Sequence, residues 1–502
     1  MKALLDQTPV LILGLGASGL AMARWCARMG ARVTVADTRA APPELGVLQS
    51  ELPQASFVSG PFSAELVEGG VQRAVFKSPG LTPESCAPVL DAARKQGLWL
   101  GNELSLFAQA LEELKESGSY QPTVLAITGT NGKTTVTSLT GQLLERAGKS
   151  VAVAGNIGPT VLDTLSRHLD ADTLPQVWVL ELSSFQLHDM SGFAPTAATV
   201  LNLSQDHLDW HGDMPSYAAA KARIFGPTTT PVLNREDPQV MAMRPAPVKG
   251  RQRPCVTFGA DMPAQAGDFG IEIVNGMAWL VRALPADETQ KRRKDAAEEE
   301  ELFLQRLLPA DALRIRGRHN AVNALAALAL AVQTGAGLAP MLYGLREYRG
   351  EPHRVEPVAL IGEVEYFDDS KGTNVGATAA ALNGLGPERR VVVILGGEGK
   401  GQDFSPLAEP VRRYARAVVL IGRDAALIGE ALASTGVDLL RADSMAQAVE
   451  QAAAAARNGD AVLLSPACAS FDMFRNYEHR ADAFRAAVRE RAAAAGQEMV
   501  SP

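Results

Sequence analysis

Short apolar runs rich in β-branched residues alternate along this chain with stretches whose apolar side chains recur at helical spacing. Almost every apolar run ends in a polar or glycine-rich turn, the signature of strands and crossover helices in an α/β protein. Val10–Leu13 and Arg32–Ala36 flank a helix that stops at Gly30, and Ala74–Phe76 runs into Ser78-Pro79-Gly80. A helix opening at Asn102-Glu103-Leu104 ends near Ser117-Gly118. Strands are then expected at Val124–Ile127, Val151–Ala154, Val177–Leu180 and Ala197–Leu203, with a helix carrying Val136, Leu139, Leu143, Leu144 and Ala147 and stopped by Gly148. Asp213–Phe225 reads as helical, and Arg316-Gly317-Arg318-His319-Asn320 opens a strongly apolar helix to Gly335. A last group of strands follows at Val364–Phe367, Val391–Leu395, Ala417–Ile421 and Ala461–Leu464.

The expected fold is α/β in three domains: a Rossmann-like N-terminal domain over 1–118, a central P-loop ATPase-type domain over 119–350 and a Rossmann-like C-terminal domain over 351–502. Ala260–Pro309 does not fit this rhythm. Its charge blocks, Lys291-Arg292-Arg293-Lys294 and Glu298–Glu301, read as a solvated helix face or a mobile insert without chemistry of its own.

Composition narrows the class. Of 502 residues 46% are apolar and 21% charged, as in a soluble enzyme, and a net charge of −8 argues against general nucleic-acid binding. The cysteines Cys26, Cys86, Cys255 and Cys468 lie far apart with no C-x-x-C, so neither a disulfide framework nor a zinc ribbon is implied and a reducing cytoplasm is expected. The apolar stretch Val10–Ala23 is broken by glycines and continues as a strand at Val33–Ala36, which favours a folded βαβ start over an export signal.

The chemistry gathers at strand ends. Gly129-Thr130-Asn131-Gly132-Lys133-Thr134-Thr135 lies between a strand and a helix, where backbone N–H groups and the helix N-terminus form a phosphate cradle, Lys133 reaches outer phosphates and the Thr134 hydroxyl suits Mg²⁺. An ordinary turn before an exposed helix is the bland alternative, and Lys-Thr-Thr makes it the weaker one. Gly14-Leu15-Gly16-Ala17-Ser18-Gly19, followed by Asp37-Thr38-Arg39 at the next strand end, forms a diphosphate site that suits a UDP group as well as a dinucleotide. Glu181 ends a strand beside the phosphate loop, a position for holding Mg²⁺. His207 follows a further strand, whereas Lys221, inside a helix, reads by itself as solvated. In the last domain Lys371, Thr373, Lys400 and Ser470 collect at one edge, as a small dianion requires.

G-T-N-G-K-T-T, E-L-S-S-F-Q, D-H-L-D, the Tyr217/Lys221 pair, R-G-x-H-N, E-P-H-R, D-D-S-K-G-T-N and S-P-A-C-A-S together resemble the Mur ligase family over nearly the whole chain outside 260–310. The resemblance implies ATP-driven amide formation through an acyl phosphate in peptidoglycan synthesis, and D-D-S-K-x-T-N with S-P-A-C-A-S-x-D implies UDP-N-acetylmuramoyl-L-alanine and D-glutamate as the substrates. It implies that Lys133, Glu181, His207 and Lys221 carry the catalysis. Two Mg²⁺ sites follow from it, one on Thr134 and Glu181, the other on His207 and a carbamylated Lys221. ATP is expected at Gly129, Thr130, Asn131, Gly132, Lys133, Thr134, Thr135, Asn320, Arg354 and Asp369. The UDP-substrate is expected at Ala17, Ser18, Asp37, Thr38, Arg39, Ser78, Asn156, Ser183 and Gln186, and D-glutamate at Lys371, Thr373, Lys400, Ser470 and Tyr477. A cytoplasmic monomer with small-molecule substrates, and no nucleic-acid or membrane partner, completes the expectation. Competing readings are a sister amide ligase such as a folylpolyglutamate synthetase, an NAD-dependent oxidoreductase fused to an ATPase, and a non-catalytic nucleotide-binding regulator.

Overall fold

The computed structural model describes residues 5–247, 253–286 and 301–496. The blocks Lys291–Lys294 and Glu298–Glu300 lie outside the described residues. The chain divides into two compact units, Met1–Leu203 with Trp210–Phe258 and Ala326–Gly344, and Ser204–Asp209 with Gly259–Leu325 and Leu345–Pro502.

The first unit holds two parallel sheets. In one, β1 (Pro9–Leu13), β2 (Arg32–Asp37), β3 (Ser56–Ser59), β4 (Ala74–Lys77) and β5 (Trp99–Gly101) lie in the order β3-β2-β1-β4-β5. In the other, β6 (Thr123–Thr128), β7 (Val151–Gly155), β8 (Val177–Glu181), β9 (Ala197–Val200), β10 (Thr230–Asn234) and β11 (Val256–Phe258) run β11-β10-β9-β6-β8-β7, every pairing parallel. The strands are apolar on both faces because helices cover both, so Leu125, Ala126 and Ile127 are completely buried.

The joint between these sheets centres on Glu103, a fully buried carboxylate in the first turn of the helix Glu103–Glu116. Its Oε1 accepts the Leu162 N–H at 3.1 Å at the start of the helix Val161–Asp170. The Ser18 hydroxyl, in the first turn of the helix Ala17–Arg28, donates to it as well. Helix N-termini carry unsatisfied N–H groups and partial positive charge, which a buried anion meets. Burial pushes the Glu103 carboxyl above its ordinary range, against the donors that stabilise its charge. Around it, Lys77 pairs with Asp189 at 2.5 Å and Arg24 with Asp163 at 3.1 Å.

In the second unit, β12 (Phe269–Val274), β13 (Met277–Pro285) and β14 (Leu302–Pro309) form an antiparallel meander. This corrects the expectation of a helix face or mobile insert for its described part. Ile271 is buried and Ile273, two residues on and on the same face, is exposed, so burial fades along β12 towards its end rather than alternating between faces. The remaining strands are β15 (Glu356–Ile361), β16 (Val364–Asp368), β17 (Val391–Gly396), β18 (Ala415–Ile421), β19 (Asp438–Arg441) and β20 (Ala461–Leu464), in the order β15-β16-β20-β17-β18-β19. Only the β15–β16 pair is antiparallel. Among the described residues no helix is long and apolar enough to cross a membrane.

Glu103→Ala is expected to lower stability by roughly 1–3 kcal/mol, because it leaves buried N–H donors without an acceptor. Thermal unfolding checks this, with a larger loss for Ala than for Gln.

Candidate active site

β6 is flanked by β8 and β9 in one register, Ile127 opposite Glu181 and Thr128 opposite Val200, so the loop after β6 and the carboxylate that ends β8 share one edge. Gly129 has φ +152°, and a Cβ there would lie 3.0 Å from the Leu201 Cβ; Gly132, at φ +83°, starts the helix Lys133–Arg146. Only glycine suits a backbone so placed and so close to its neighbour. Lys133 Nζ donates to the Gly129 and Thr130 carbonyls at 3.0 and 2.9 Å. Thr134 and Thr135 are buried in the helix's first turn.

Lys221 is not solvated: it is 1% exposed. Its Nζ donates to Thr128 Oγ1 at 3.2 Å and to the Gly129 carbonyl at 2.9 Å, and sits 4.7 Å from the Tyr217 ring centroid. The helix Met214–Ala222 turns the lysine towards the sheet edge, so helical spacing alone misjudged it.

Glu181 is 1% exposed and its Oε1 accepts from Asn156 Nδ2 at 3.0 Å. Its chemistry, a buried carboxylate beside a loop of N–H groups and Thr134, fits a divalent cation. Ser183 and Gln186 form a capping box: the Ser183 N–H donates to Gln186 Oε1 at 2.9 Å, and the Gln186 N–H donates back to Ser183 Oγ at 3.3 Å.

At the first sheet edge, Asp37 accepts the Leu15 N–H at 2.7 Å and the Arg39 guanidinium at 2.8 Å. The Arg39 side chain and the Leu15 and Arg39 N–H groups hold the Asp37 carboxyl down at about 2. Asp37 therefore clamps the glycine-rich turn to β2. Ser78 Oγ donates to the Gly14 carbonyl at 2.9 Å. Ala17, Thr38 and Arg39 are exposed and Ser18 is half-buried.

In the second unit His207, Thr373, Lys400, Ser470 and Tyr477 line one cavity of about 240 Å³. Lys371 Nζ lies 5.4 Å from the Tyr477 ring. His207 and Lys400 are held at φ +55° and +50°, a conformation side chains other than glycine seldom adopt and that clusters at working sites. Asn320 and Arg354 line a second cavity of about 510 Å³ with Arg316, Glu351 and Arg389. Asp369 does not line it. Its carboxylate is buried, accepting from Ser465 Oγ at 2.6 Å and from the Val355 N–H at 3.3 Å, so it holds the turn that carries Arg354. Burial pushes Asp369 up to about 7.

Three family models match in succession: the MurD-like N-terminal domain over 8–100, the Mur ligase middle domain over 127–331 and the glutamate ligase domain over 353–468. A UDP-N-acetylmuramoylalanine–D-glutamate ligase of Albidiferax ferrireducens is 70% identical over 99% of this chain and 98% of that protein. The chain belongs to the Mur ligase family. A ligase of the same name from Polaromonas is 60% identical over 97% of this chain and 98% of that protein. Solved Mur ligases share the fold: the UDP-N-acetylmuramate–alanine ligase of Thermotoga maritima (20% identity, TM-score 0.53, 97% and 99% of the two chains) and the MurF ligase of the same organism (16%, 0.57, 98% and 97%).

Within this Mur ligase, sequence reading missed Asn202. Its backbone carbonyl accepts the Thr130 N–H at 2.9 Å and its Oδ1 the Asn131 N–H at 2.9 Å, while its Nδ2 donates to the Asn131 carbonyl at 3.1 Å. A polar residue two positions after β9, level with the glycine-rich loop after β6, was the available signal. Asp37→Asn is expected to destabilise the protein at pH 7 by roughly 1 kcal/mol or more, as a charged acceptor is replaced by a neutral one. A carboxyl held at about 2 against an ordinary 3.8 stabilises the fold above pH 4 and loses that effect as pH falls towards 2. Melting curves of wild type and variant should therefore converge below pH 4.

Proposed function

We propose that this chain joins D-glutamate to UDP-N-acetylmuramoyl-L-alanine at the expense of ATP, an amide-forming step of peptidoglycan synthesis. The near end-to-end 70% identity to a ligase of that name carries the reading. The γ-phosphoryl group passes to the muramoyl-alanine carboxylate, giving ADP and an acyl phosphate. The D-glutamate amine then attacks the acyl carbon, loses a proton, and phosphate leaves.

In this proposal the loop amides of 129–135 and Lys133 hold the phosphates and offset charge as it moves between oxygens. Thr134 and Glu181 hold Mg²⁺, which supplies charge neutralisation where two anions must meet. Asn320 and Arg354 contact the nucleotide, with Asp369 behind them. Ala17, Ser18, Asp37, Thr38, Arg39 and Ser78 serve the UDP end, and Asn156, Ser183 and Gln186 the muramoyl-alanine end. Lys371, Thr373, Lys400, Ser470 and Tyr477 receive D-glutamate, and two lysines suit a dicarboxylate; His207, with a carbamylated Lys221, would hold a second Mg²⁺. The same proposal takes the domains as 1–118, 119–350 and 351–502 and the working form as a cytoplasmic monomer.

Phosphate release from ATP should require both UDP-N-acetylmuramoyl-L-alanine and D-glutamate, each omitted in turn. Among L-alanine, D-glutamate, L-glutamate and meso-diaminopimelate, D-glutamate should give the highest kcat/KM. Preference for L-alanine or the diamino acid would move the chain to a sister reaction.

The buried amine of Lys221, beside Thr128 and Gly129, supports a further element: reaction with CO₂ to a carbamate, which turns a cation into a metal-binding carboxylate at the phosphate loop. Lys221→Ala should lose turnover about a hundredfold or more and regain part of it with added acetate or formate. Full activity of the variant in CO₂-depleted buffer would reduce Lys221 to a packing role.

A further inference from the structure

Arg480 is 1% exposed, and among the described residues it ranks with the largest fully buried side chains. It lies in the first turn of the helix Tyr477–Ala494. One terminal nitrogen donates to the Cys468 carbonyl at 3.0 Å and the other to the Ser370 carbonyl at 2.8 Å, while Nε is buried without a hydrogen-bond partner. Burial lowers its pKa to about 10, which leaves it charged at neutral pH. The charges of Asp472, Asp368 and Asp369 favour the guanidinium but offset its burial only in part, so a cation that spends its donors on carbonyls is an expensive structural device.

The guanidinium joins the two loops that carry candidate acceptor residues. Ser370 precedes Lys371 after β16, Cys468 lies two residues before Ser470 after β20, and Tyr477 is one turn ahead of Arg480 on its own helix. The neighbouring loop after β17 is already fastened: Glu398 and Ala469 exchange backbone hydrogen bonds at 3.0 Å, which fixes the approach to Lys400. Gly372 and Ala467 share one further backbone bond at 3.0 Å. Among the described residues no such strand-like pair covers Ser370 and Cys468; the Arg480 fork spans them instead.

We propose that Arg480 is the positioning residue of the amino-acid acceptor site, holding Lys371, Ser470 and Tyr477 in one geometry while adding a fixed positive charge behind a pocket for a dianion. This rests on the reading of that pocket as the D-glutamate site. A planar fork can grip both carbonyls at once, which a lysine ammonium on a flexible stem does not. The charge would aid binding of any anionic acceptor; the fork would set its position.

The test uses the full-length chain with Arg480→Lys and Arg480→Gln, each checked by thermal unfolding. Steady-state kinetics are run with ATP, UDP-N-acetylmuramoyl-L-alanine and D-glutamate varied separately. For Arg480→Lys the KM for D-glutamate should rise roughly tenfold or more, with the KM for ATP and for the nucleotide-sugar within about twofold of wild type. Arg480→Gln, lacking the charge, should be worse on the same axis. An unchanged D-glutamate KM, equal rises in all three constants, or loss of folding in both variants would overturn the proposal and leave Arg480 a core residue. A wild-type enzyme that ignores D-glutamate would instead sink the functional reading, and that result is scored before either variant is measured.

Discussion

The parallel register of β6 between β8 and β9 is the constraint on which the edge carrying Lys133, Glu181 and Lys221 depends. Side chains alternate with a period of two along a strand, so a slip of one residue would turn Glu181 to the other face and carry the loop away from Asn202. Both strand faces are apolar and covered, and Leu125, Ile127, Val179 and Leu180 leave no alternative seat. Packing that looks purely structural thus sets the height at which Lys133, Glu181 and Lys221 meet one edge. The same rule operates in the other sheets, where Asp37 and Ser78 follow β2 and β4, and Lys371, Lys400 and Ser470 follow β16, β17 and β20.

Polar groups at these edges are mostly engaged with protein. Asp37 is clamped on Leu15 and Arg39, Ser183 on Gln186, and Asp369 on Ser465 and Val355. Such bonds fix rotamers, and a ligand that meets fixed groups loses less freedom on binding. Strain appears at the same places: His353 and Val355 adopt φ +63° and +47°, the latter on a β-branched side chain that strongly disfavours it.

Contiguous features were legible from the chain. Gly129–Thr135 joins its strand, turn and helix start within a few residues, so the element could be read directly. The alternation of strands and helices likewise gave parallel sheets and the three-domain α/β class. Pairings across long sequence separations were not legible. Asn202 meets Asn131 because β6 and β9 end side by side, and Arg480 meets Ser370 because the helix Tyr477–Ala494 packs its first turn on the loop after β16. Lys221 was misjudged because the helical pattern classes every lysine as solvent-facing, whereas its long stem reaches under the loop. The meander β12–β14 escaped because Phe269–Val274 and Leu302–Pro309 are short, uneven in their alternation and separated by a charged run.

The lysine of the phosphate loop carries one more consequence. Its ammonium already donates to two carbonyls of its own loop. A phosphate oxygen that replaced one of those carbonyls would leave the number of hydrogen bonds unchanged. What changes is the acceptor's charge, a full anion in place of a carbonyl dipole, and the gain scales with that charge. A lysine so placed would act as a charge gauge: it would answer to how many negative charges a bound anion brings, and give little to a neutral ligand of the same shape.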